Sequence, residues 1–121
     1  MDLGKQNILF FTRTMMLGGT ENVVLQLCEV FKPKVNKIVV CSCGGVNVEK
    51  LTEMGIRHYQ IPDISSKKDM FKICRTVKKI VEKEQITVIH SHHRMAAFYT
   101  EILFGSSIIK IANAHNTFFD K

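Results

Sequence analysis

The chain contains five short apolar segments separated by longer stretches of mixed polarity. Four of them, at 7–12, 37–41, 87–90 and 108–112, are mainly apolar without alternation. Continuous apolar runs are typical of strands that are covered on both faces in a parallel sheet. A fifth and weaker segment at 57–61 is stopped by the following proline. The pattern therefore predicts five strands.

The stretches between these strands repeat their apolar residues every three or four positions, as amphipathic helices do. Thr20 is suited to cap the first helix, and Gly55 and Gly105 are suited to end the second and fourth. The third begins with Ser66-Lys67-Lys68-Asp69, which has the spacing of a capping box. The predicted helices cover 20–31, 48–54, 66–84 and 94–104.

Strands and helices thus alternate along the chain. With right-handed crossovers, this order predicts an α/β fold with a doubly wound, mainly parallel, Rossmann-like sheet of about five strands in the order 3-2-1-4-5. Ligands of such sheets bind beyond the carboxyl ends of the strands, where the winding direction reverses. Here that point lies between the first and fourth strands, so the residues that follow them are the candidates for function.

Composition limits the class of protein. The 121 residues, 45% hydrophobic and 23% charged, fit a single globular domain over 1–121. No apolar run approaches the roughly 20 residues that cross a bilayer, and the first residues lack the core of a signal peptide, so we expect a cytoplasmic protein. The four cysteines form no C-x-x-C pair and are expected to be buried free thiols. The net charge of +6 indicates an anionic partner.

A glycine pair follows the first strand. Gly18 and Gly19 leave backbone N–H groups uncovered, and the helix that begins near Thr20 adds its free N–H groups and positive dipole end, which suits a phosphate. The alternative is that the pair only permits a tight turn. Neither a G-x-G-x-x-G nor a P-loop motif occurs, and Thr12 and Arg13 stand where a phospho-receiver domain has acidic residues.

Histidines follow the fourth and fifth strands. His90, His92 and His93 come at the end of the fourth, and His115 with Asn116 after the fifth. Imidazoles can bind a metal, transfer protons, or hydrogen-bond the hydroxyl and phosphate groups of a ligand. Because no carboxylate lies near them in sequence, we expect no metal site. His90 and His92 could each simply finish a strand, but together the histidines indicate a polar cleft that faces the glycine loop.

The third predicted helix separates charge from apolar residues. A solvated helix face over the core explains this pattern, and a peripheral contact with anionic lipid headgroups at the inner face of the membrane is the alternative interpretation. Nucleic acid is not an expected partner, because the basic side has no interleaved aromatics. The basic residues are Lys67, Lys68, Lys72, Arg75, Lys78, Lys79 and Lys83.

Together these segments resemble the N-terminal domain of a family 4 type glycosyltransferase with the two-domain GT-B fold. The resemblance covers nearly the whole chain. It is carried by "ILFFTRTMMLGGTENVVLQLCEVF", "VEKLTEMGIRHYQIP", "ITVIHSHHRMAAFYTEIL" and "IIKIANAHNTF".

The resemblance implies roles for particular residues. Gly18, Gly19 and Thr20 would approach the diphosphate of a nucleotide-sugar donor, and His115 matches a histidine at the reaction centre. Acceptor-binding roles fall to the residues that line the same cleft. These are Arg13, His90, His92 and Asn116. No redox cofactor or metal is implied.

The family also carries a C-terminal donor-binding domain with an E-x(7)-E element, and this chain ends at Lys121, before such a domain. We therefore expect an acceptor-side domain that transfers a hexose to a glycan or lipid-linked acceptor, as in polysaccharide biosynthesis, only when a donor domain is supplied. The competing hypothesis is a non-catalytic α/β module that binds an anionic ligand or a partner protein. Missing strands would leave an open sheet edge through which copies could associate.

Overall fold

The computed structural model describes residues 2–15, 19–105 and 108–112. A single 3-10 turn at Leu3–Lys5 precedes the first strand. The strands are β1 (Asn7–Phe11), β2 (Lys37–Ser42), β3 (Arg57–Gln60), β4 (Val88–Ser91) and β5 (Ile109–Ala112). The helices are α1 (Gly19–Phe31), α2 (Val48–Glu53), α3 (Met70–Glu84) and α4 (Arg94–Phe104).

All of the strand pairings are parallel, in the order β3-β2-β1-β4-β5. The predicted fold class, strand count and strand order are confirmed. In the centre of the sheet Phe10 lies between Val40 of β2 and His90 of β4. The carboxyl ends of β1 and β4 are therefore neighbours, as the predicted position of the site requires.

Alternate strand residues feed two cores, one on each face of the sheet. Ile8 and Phe10 pack with Val24 and Cys28 of α1 and with Leu51 of α2. On the other face, Leu9 and Phe11 belong to a core that takes residues from α3 and α4, among them Ile73, Val77, Ala96 and Tyr99. This two-sided burial is why β1 is buried at every position.

The predicted glycine stops are present. Gly55 follows α2 with a φ of 77° and Gly105 follows α4 with a φ of 51°, both in the region that favours glycine. The predicted capping box at Ser66 was wrong. The Ser66 hydroxyl donates to the Asp69 carboxylate at 3.1 Å, and neither side chain caps a backbone N–H group. A 3-10 turn at Lys67–Asp69 precedes α3 as a result.

Helix α3 is fastened to the sheet through its last residue. The buried Glu84 carboxylate lies 3.1 Å from Lys37 Nζ and 2.9 Å from Arg57 Nη1, and it accepts a hydrogen bond from the Tyr59 hydroxyl. Burial raises the pKa of Glu84, but the bonds from Tyr59, Lys37 and Arg57 outweigh it and hold the pKa below its usual value. The carboxylate therefore stays charged at the start of β2 and β3.

The beginnings of β1 and β4 are joined by side chains. The Asn7 N–H donates to Thr87 Oγ1 at 2.9 Å, and Asn7 Nδ2 donates to the Gln85 carbonyl at 2.8 Å. Thr87 N–H in turn donates to the Asn7 carbonyl at 2.8 Å. These bonds set the register that brings the carboxyl ends of β1 and β4 level with each other. Within the described ranges, no helix has the length and apolar character needed to span a bilayer.

Candidate functional site

The segment after β1 is held in place by backbone hydrogen bonds to the segment after β2. Thr12 N–H donates to the Cys41 carbonyl at 3.2 Å, and Cys43 N–H donates to the Arg13 carbonyl at 2.9 Å. Met15 N–H donates to the Gly44 carbonyl at 2.9 Å, and the Met15 side chain is fully buried. The entry to the glycine loop is thus fixed by ladder-like bonds rather than left as a free turn.

Arg13 leaves this segment toward the loop after β3. Its Nε and Nη2 donate to Asp63 Oδ1 and Oδ2 at 2.9 and 2.8 Å, a bidentate pair, although its side chain is 45% exposed. Asp63 also accepts from the backbone N–H and hydroxyl of Ser65. The hydrogen bond from Arg13 holds the pKa of Asp63 well below its usual range. An ionised, pre-oriented pair therefore borders the carboxyl edge.

The start of α1 lies at the same edge. The helix begins at Gly19, one residue before the cap predicted at Thr20. Glu21, in its first turn, accepts a hydrogen bond from the Thr14 hydroxyl at 2.5 Å. A carboxylate in the first turn is stabilised by the helix dipole, so the contact ties the segment after β1 to the helix.

His90 and His92 lie on one face of the sheet, as alternate positions of a strand do. Their ring centroids are 4.2 Å apart, and both pack on Phe10 at 5.4 and 5.7 Å. His92 is 1% exposed, and its backbone N–H donates to the Phe11 carbonyl at 2.9 Å. The two imidazoles thus form a cluster of mutually tilted rings with Phe10.

The His90 ring also lines an apolar groove of about 150 Å³ on the α1 side of the sheet. The groove runs across β1, β4 and β5. It is lined by Leu3, Gln6, Ile8, Phe10, Phe31, Val88 and Ile111 as well as His90. The surface that these residues present to the groove is apolar, so the groove can take an apolar group but offers little to a phosphate.

His93 was part of the predicted histidine cluster but was assigned no role. It is the N-cap of α4, and its Nδ1 accepts a hydrogen bond from the Met95 N–H at 3.1 Å. Burial lowers the pKa of His93, as do the positive charges of Arg13 and Arg94, while Asp63 acts against them. The neutral ring therefore carries its proton on Nε2, where it can donate.

A further histidine lies near the end of β2. His58 Nε2 lies 2.7 Å from the Ser42 hydroxyl oxygen, and the Gly44 N–H donates to the same oxygen at 3.0 Å. Burial lowers the pKa of His58. This contact orders the turn at Gly44, whose carbonyl accepts the hydrogen bond from the Met15 N–H. His58 therefore helps to position the segment after β1 through the segment after β2.

Three of the predicted site residues, Gly18, His115 and Asn116, lie outside the described residues. Among the others, the structure places Arg13, Gly19 and Thr20 in or beside the segment after β1. Its stretches 2–15, 19–105 and 108–112 contain no group of three His, Cys, Asp or Glu side chains that could hold a metal ion.

Sequence reasoning missed the role of Asp63. The signal was present: Asp63 follows β3 at the same edge where Arg13 follows β1, and opposite charges at one sheet edge attract. The cap formed by His93 was also foreseeable, because the residue directly before a helix is where a side-chain acceptor is needed.

No protein-family model matches the chain, and no curated protein sequence matches it. A solved structure does: the crystal structure of a glycosyltransferase from Rickettsia africae ESF-5 matches with a TM-score of 0.76 and 16% sequence identity. The match covers 92% of this chain and 30% of that one. At this identity the likeness establishes a shared fold, so the chain has the Rossmann-like α/β architecture found in that enzyme.

Proposed function

We propose that this chain is the acceptor-side domain of a GT-B glycosyltransferase of the family 4 type. It acts with a donor-binding domain to transfer a hexose from a nucleotide-sugar to a glycan or lipid-linked acceptor. The observation that carries the proposal is the fold match over 92% of the chain to a glycosyltransferase of which it covers 30%. Such coverage is expected when one domain of a multidomain transferase is compared with the whole.

The carboxyl edge supports the donor side of this proposal. Gly19 and Thr20 are the first residues of α1, where helix N–H groups favour a diphosphate, and Gly18 precedes them in the sequence. On this proposal they approach the donor phosphates, and His115 acts at the reaction centre.

Arg13 supports the acceptor side. A guanidinium has five N–H donors, and Asp63 uses two of them. The others can bind acceptor hydroxyl or phosphate oxygens while Asp63 keeps the group in place. His90, His92 and Asn116 complete the proposed acceptor side.

Holding both substrates in one orientation supplies much of the rate in such transfers, so the single domain is proposed to turn over little by itself.

Binding can be tested by titrating the ¹⁵N-labelled chain with uridine and guanosine diphosphates and their sugar conjugates. The amides of Arg13, Thr14 and Gly19 are expected to shift, whereas Lys5 and Lys37 at the opposite end of the sheet are not. Gly19→Val is expected to abolish the shifts by placing a branched side chain beside the first N–H groups of α1. Gly4→Val is the matched control, because an added Cβ there meets only Asp2 Oδ1 at 3.5 Å. Shifts confined to the opposite end would overturn the proposal.

Transfer itself is measured as release of nucleoside diphosphate when a donor-binding domain is supplied. Arg13→Gln is expected to raise the KM for the acceptor and to leave the KM for the donor unchanged. Arg57→Gln is its control, because Arg57 also pairs with a carboxylate but lies at the beginning of β3. Absence of turnover with several donor domains would favour the competing function.

That competing function is a non-catalytic α/β module that binds a partner protein or a second copy. The observation in its favour is β5, which forms an edge of the described sheet and exposes Ile109 and Ile111 by 44% and 46%. An open apolar edge strand can pair with another chain. Size-exclusion chromatography combined with light scattering separates the two functions, because dimer formation that Ile109→Lys abolishes would support the module.

A further inference from the structure

The exposed side of α3 carries most of the net charge of the whole chain. Seven of the 17 Lys and Arg residues lie there or in the turn just before it, against two acidic residues that are not buried, Asp69 and Glu82. The rest of the chain is close to neutral, because its ten basic residues are offset by nine acidic ones. We call this surface the basic face; it consists of Lys67, Lys68, Lys72, Arg75, Lys78, Lys79 and Lys83, all exposed.

The cations of this face are not neutralised by the described part of the protein. The ion pairs among the described residues join Arg13 to Asp63, Lys37 and Arg57 to Glu84, and Lys110 to Glu101, so none involves the basic face. Within the face, Lys83 Nζ lies 5.8 Å from the centre of the Tyr59 ring. The field of the seven cations is therefore directed to solvent, where it attracts an anionic partner.

Phe71 lies within the same face. Its side chain is 85% exposed, the largest exposure among the large hydrophobic residues of the described chain. Lys67, Lys68, Lys72 and Arg75 are its neighbours in sequence or one helical turn away. Helices that lie in a bilayer interface combine exposed aromatic residues with cations. Their aromatic rings insert among the acyl chains, and their cations stay at the headgroups.

We propose that the basic face docks on an anionic lipid bilayer, with Phe71 inserted below the headgroups. Helix α3 lies on the opposite side of the sheet from α1, and its first turn follows the Asp63 loop. Docking through Phe71 therefore brings the carboxyl edge of the sheet close to the bilayer. The inference rests on charge and exposure alone and holds whether or not the chain takes part in sugar transfer.

Flotation with vesicles tests the charge requirement. The chain is expected to bind phosphatidylcholine vesicles that contain phosphatidylglycerol and not vesicles of phosphatidylcholine alone. Because each cation near an anionic surface contributes about fivefold in affinity, replacing Lys67, Lys68, Lys72 and Arg75 with Gln should weaken binding more than about tenfold. Replacing Lys5, Lys32, Lys34 and Lys50, which are also exposed, removes the same charge elsewhere and should have little effect.

Insertion of Phe71 has its own test, because the chain contains no tryptophan. Phe71→Trp introduces a single indole whose emission should shift to the blue on anionic vesicles. Val30→Trp, at a 51% exposed position of α1 on the opposite side of the sheet, should show no shift. Phe71→Ser should weaken vesicle binding about fivefold, and circular dichroism checks that each variant is folded.

Equal loss of binding in the two four-residue variants would overturn the proposal, since net charge alone would then explain the attraction. Equal blue shifts at positions 71 and 30 would overturn it as well. So would retention of the chain by single-stranded RNA together with no binding to anionic vesicles, which would identify nucleic acid as the partner of the basic face.

Discussion

Arg13 and Asp63 are 50 positions apart in the sequence and are joined by two parallel hydrogen bonds of 2.9 and 2.8 Å. The pair ties the segment after β1 to the loop after β3, past the end of the intervening β2. It keeps a guanidinium at the point where the winding of the sheet reverses, with donors still available to a ligand.

Asp63→Asn is expected to reduce the free energy of unfolding by about 1 kcal/mol at pH 7, since the pair is bidentate but partly exposed to screening solvent. The pKa of Asp63 is lowered in the folded state, so its stabilisation is present above the unfolded pKa and is lost as pH falls toward the folded one. Urea unfolding from pH 7 down to about 3 measures the convergence of wild type and variant. Glu53→Gln, at an exposed position of α2, is the control.

A double-mutant cycle with Arg13→Gln isolates the pair itself. The two single changes should be less than additive, with a coupling of about 0.5–1 kcal/mol. Full additivity would mean that Asp63 acts only through Ser65.

His93→Asn tests the cap of α4. Asn supplies a side-chain acceptor that does not titrate, so stability at pH 8 should change little, whereas His93→Ala should cost about 1 kcal/mol. The pKa values of His93 and His58 are lowered by folding. The stability that the two neutral rings contribute is therefore complete above the unfolded pKa of histidine and declines as pH falls through the folded pKa values. Between about pH 7 and 5 the His93→Asn variant should lose less stability than wild type. Identical slopes of unfolding free energy against pH would contradict the role of His93 as a neutral cap.

Gln85→Gly should stabilise the protein by about 0.5–1 kcal/mol. Gln85 ends α3 with a φ of 54° and a ψ of 47°, a left-handed conformation that costs a non-glycine residue free energy. Its contact with Asn7 uses the backbone carbonyl and survives the change. Chemical unfolding gives the sign. Lys79→Gly, at an exposed interior position of the same helix, should destabilise by about 1 kcal/mol.

The thiols should react in two classes. Burial raises the pKa of Cys28 to about 12 and raises that of the fully buried Cys41 as well, so both should resist a disulfide reagent at pH 8 until the protein unfolds. Cys43 and Cys74 are only partly buried. We expect no more than these two to label in the native state and all four in denaturant; rapid native labelling of Cys28 would contradict the packing of α1.

Much of the fold could be predicted because it rests on local pattern. Uninterrupted apolar runs marked β1 and β2, and the single handedness of crossovers left one economical strand order. The weak segment at Arg57–Gln60 was also a strand. Its two middle residues are half-buried and its end residues are exposed, as suits an edge strand, where less hydrophobicity suffices.

The site was harder to predict because its contacts are non-local. Arg13 and Asp63 are far apart in sequence, and the strand order places them at one edge of the sheet without fixing that they pair across β2. The period of a strand does predict that His90 and His92 share a face, but not that both rings pack against Phe10. The capping box failed for a related reason, because Ser66 and Asp69 satisfied each other instead of the backbone.

One of the two strands that pair with the central strand β1, namely β4, is synthesised long after it. Asn7 is bonded to Thr87, 80 residues further along the chain. A ribosome adding roughly 5–20 residues per second needs roughly 4–16 seconds to deliver that partner. During this interval β1 is the border of a half-built sheet, with an apolar flank exposed to the crowded cell. Slowed elongation or loss of chaperones should therefore harm the yield of this protein more than its stability once folded.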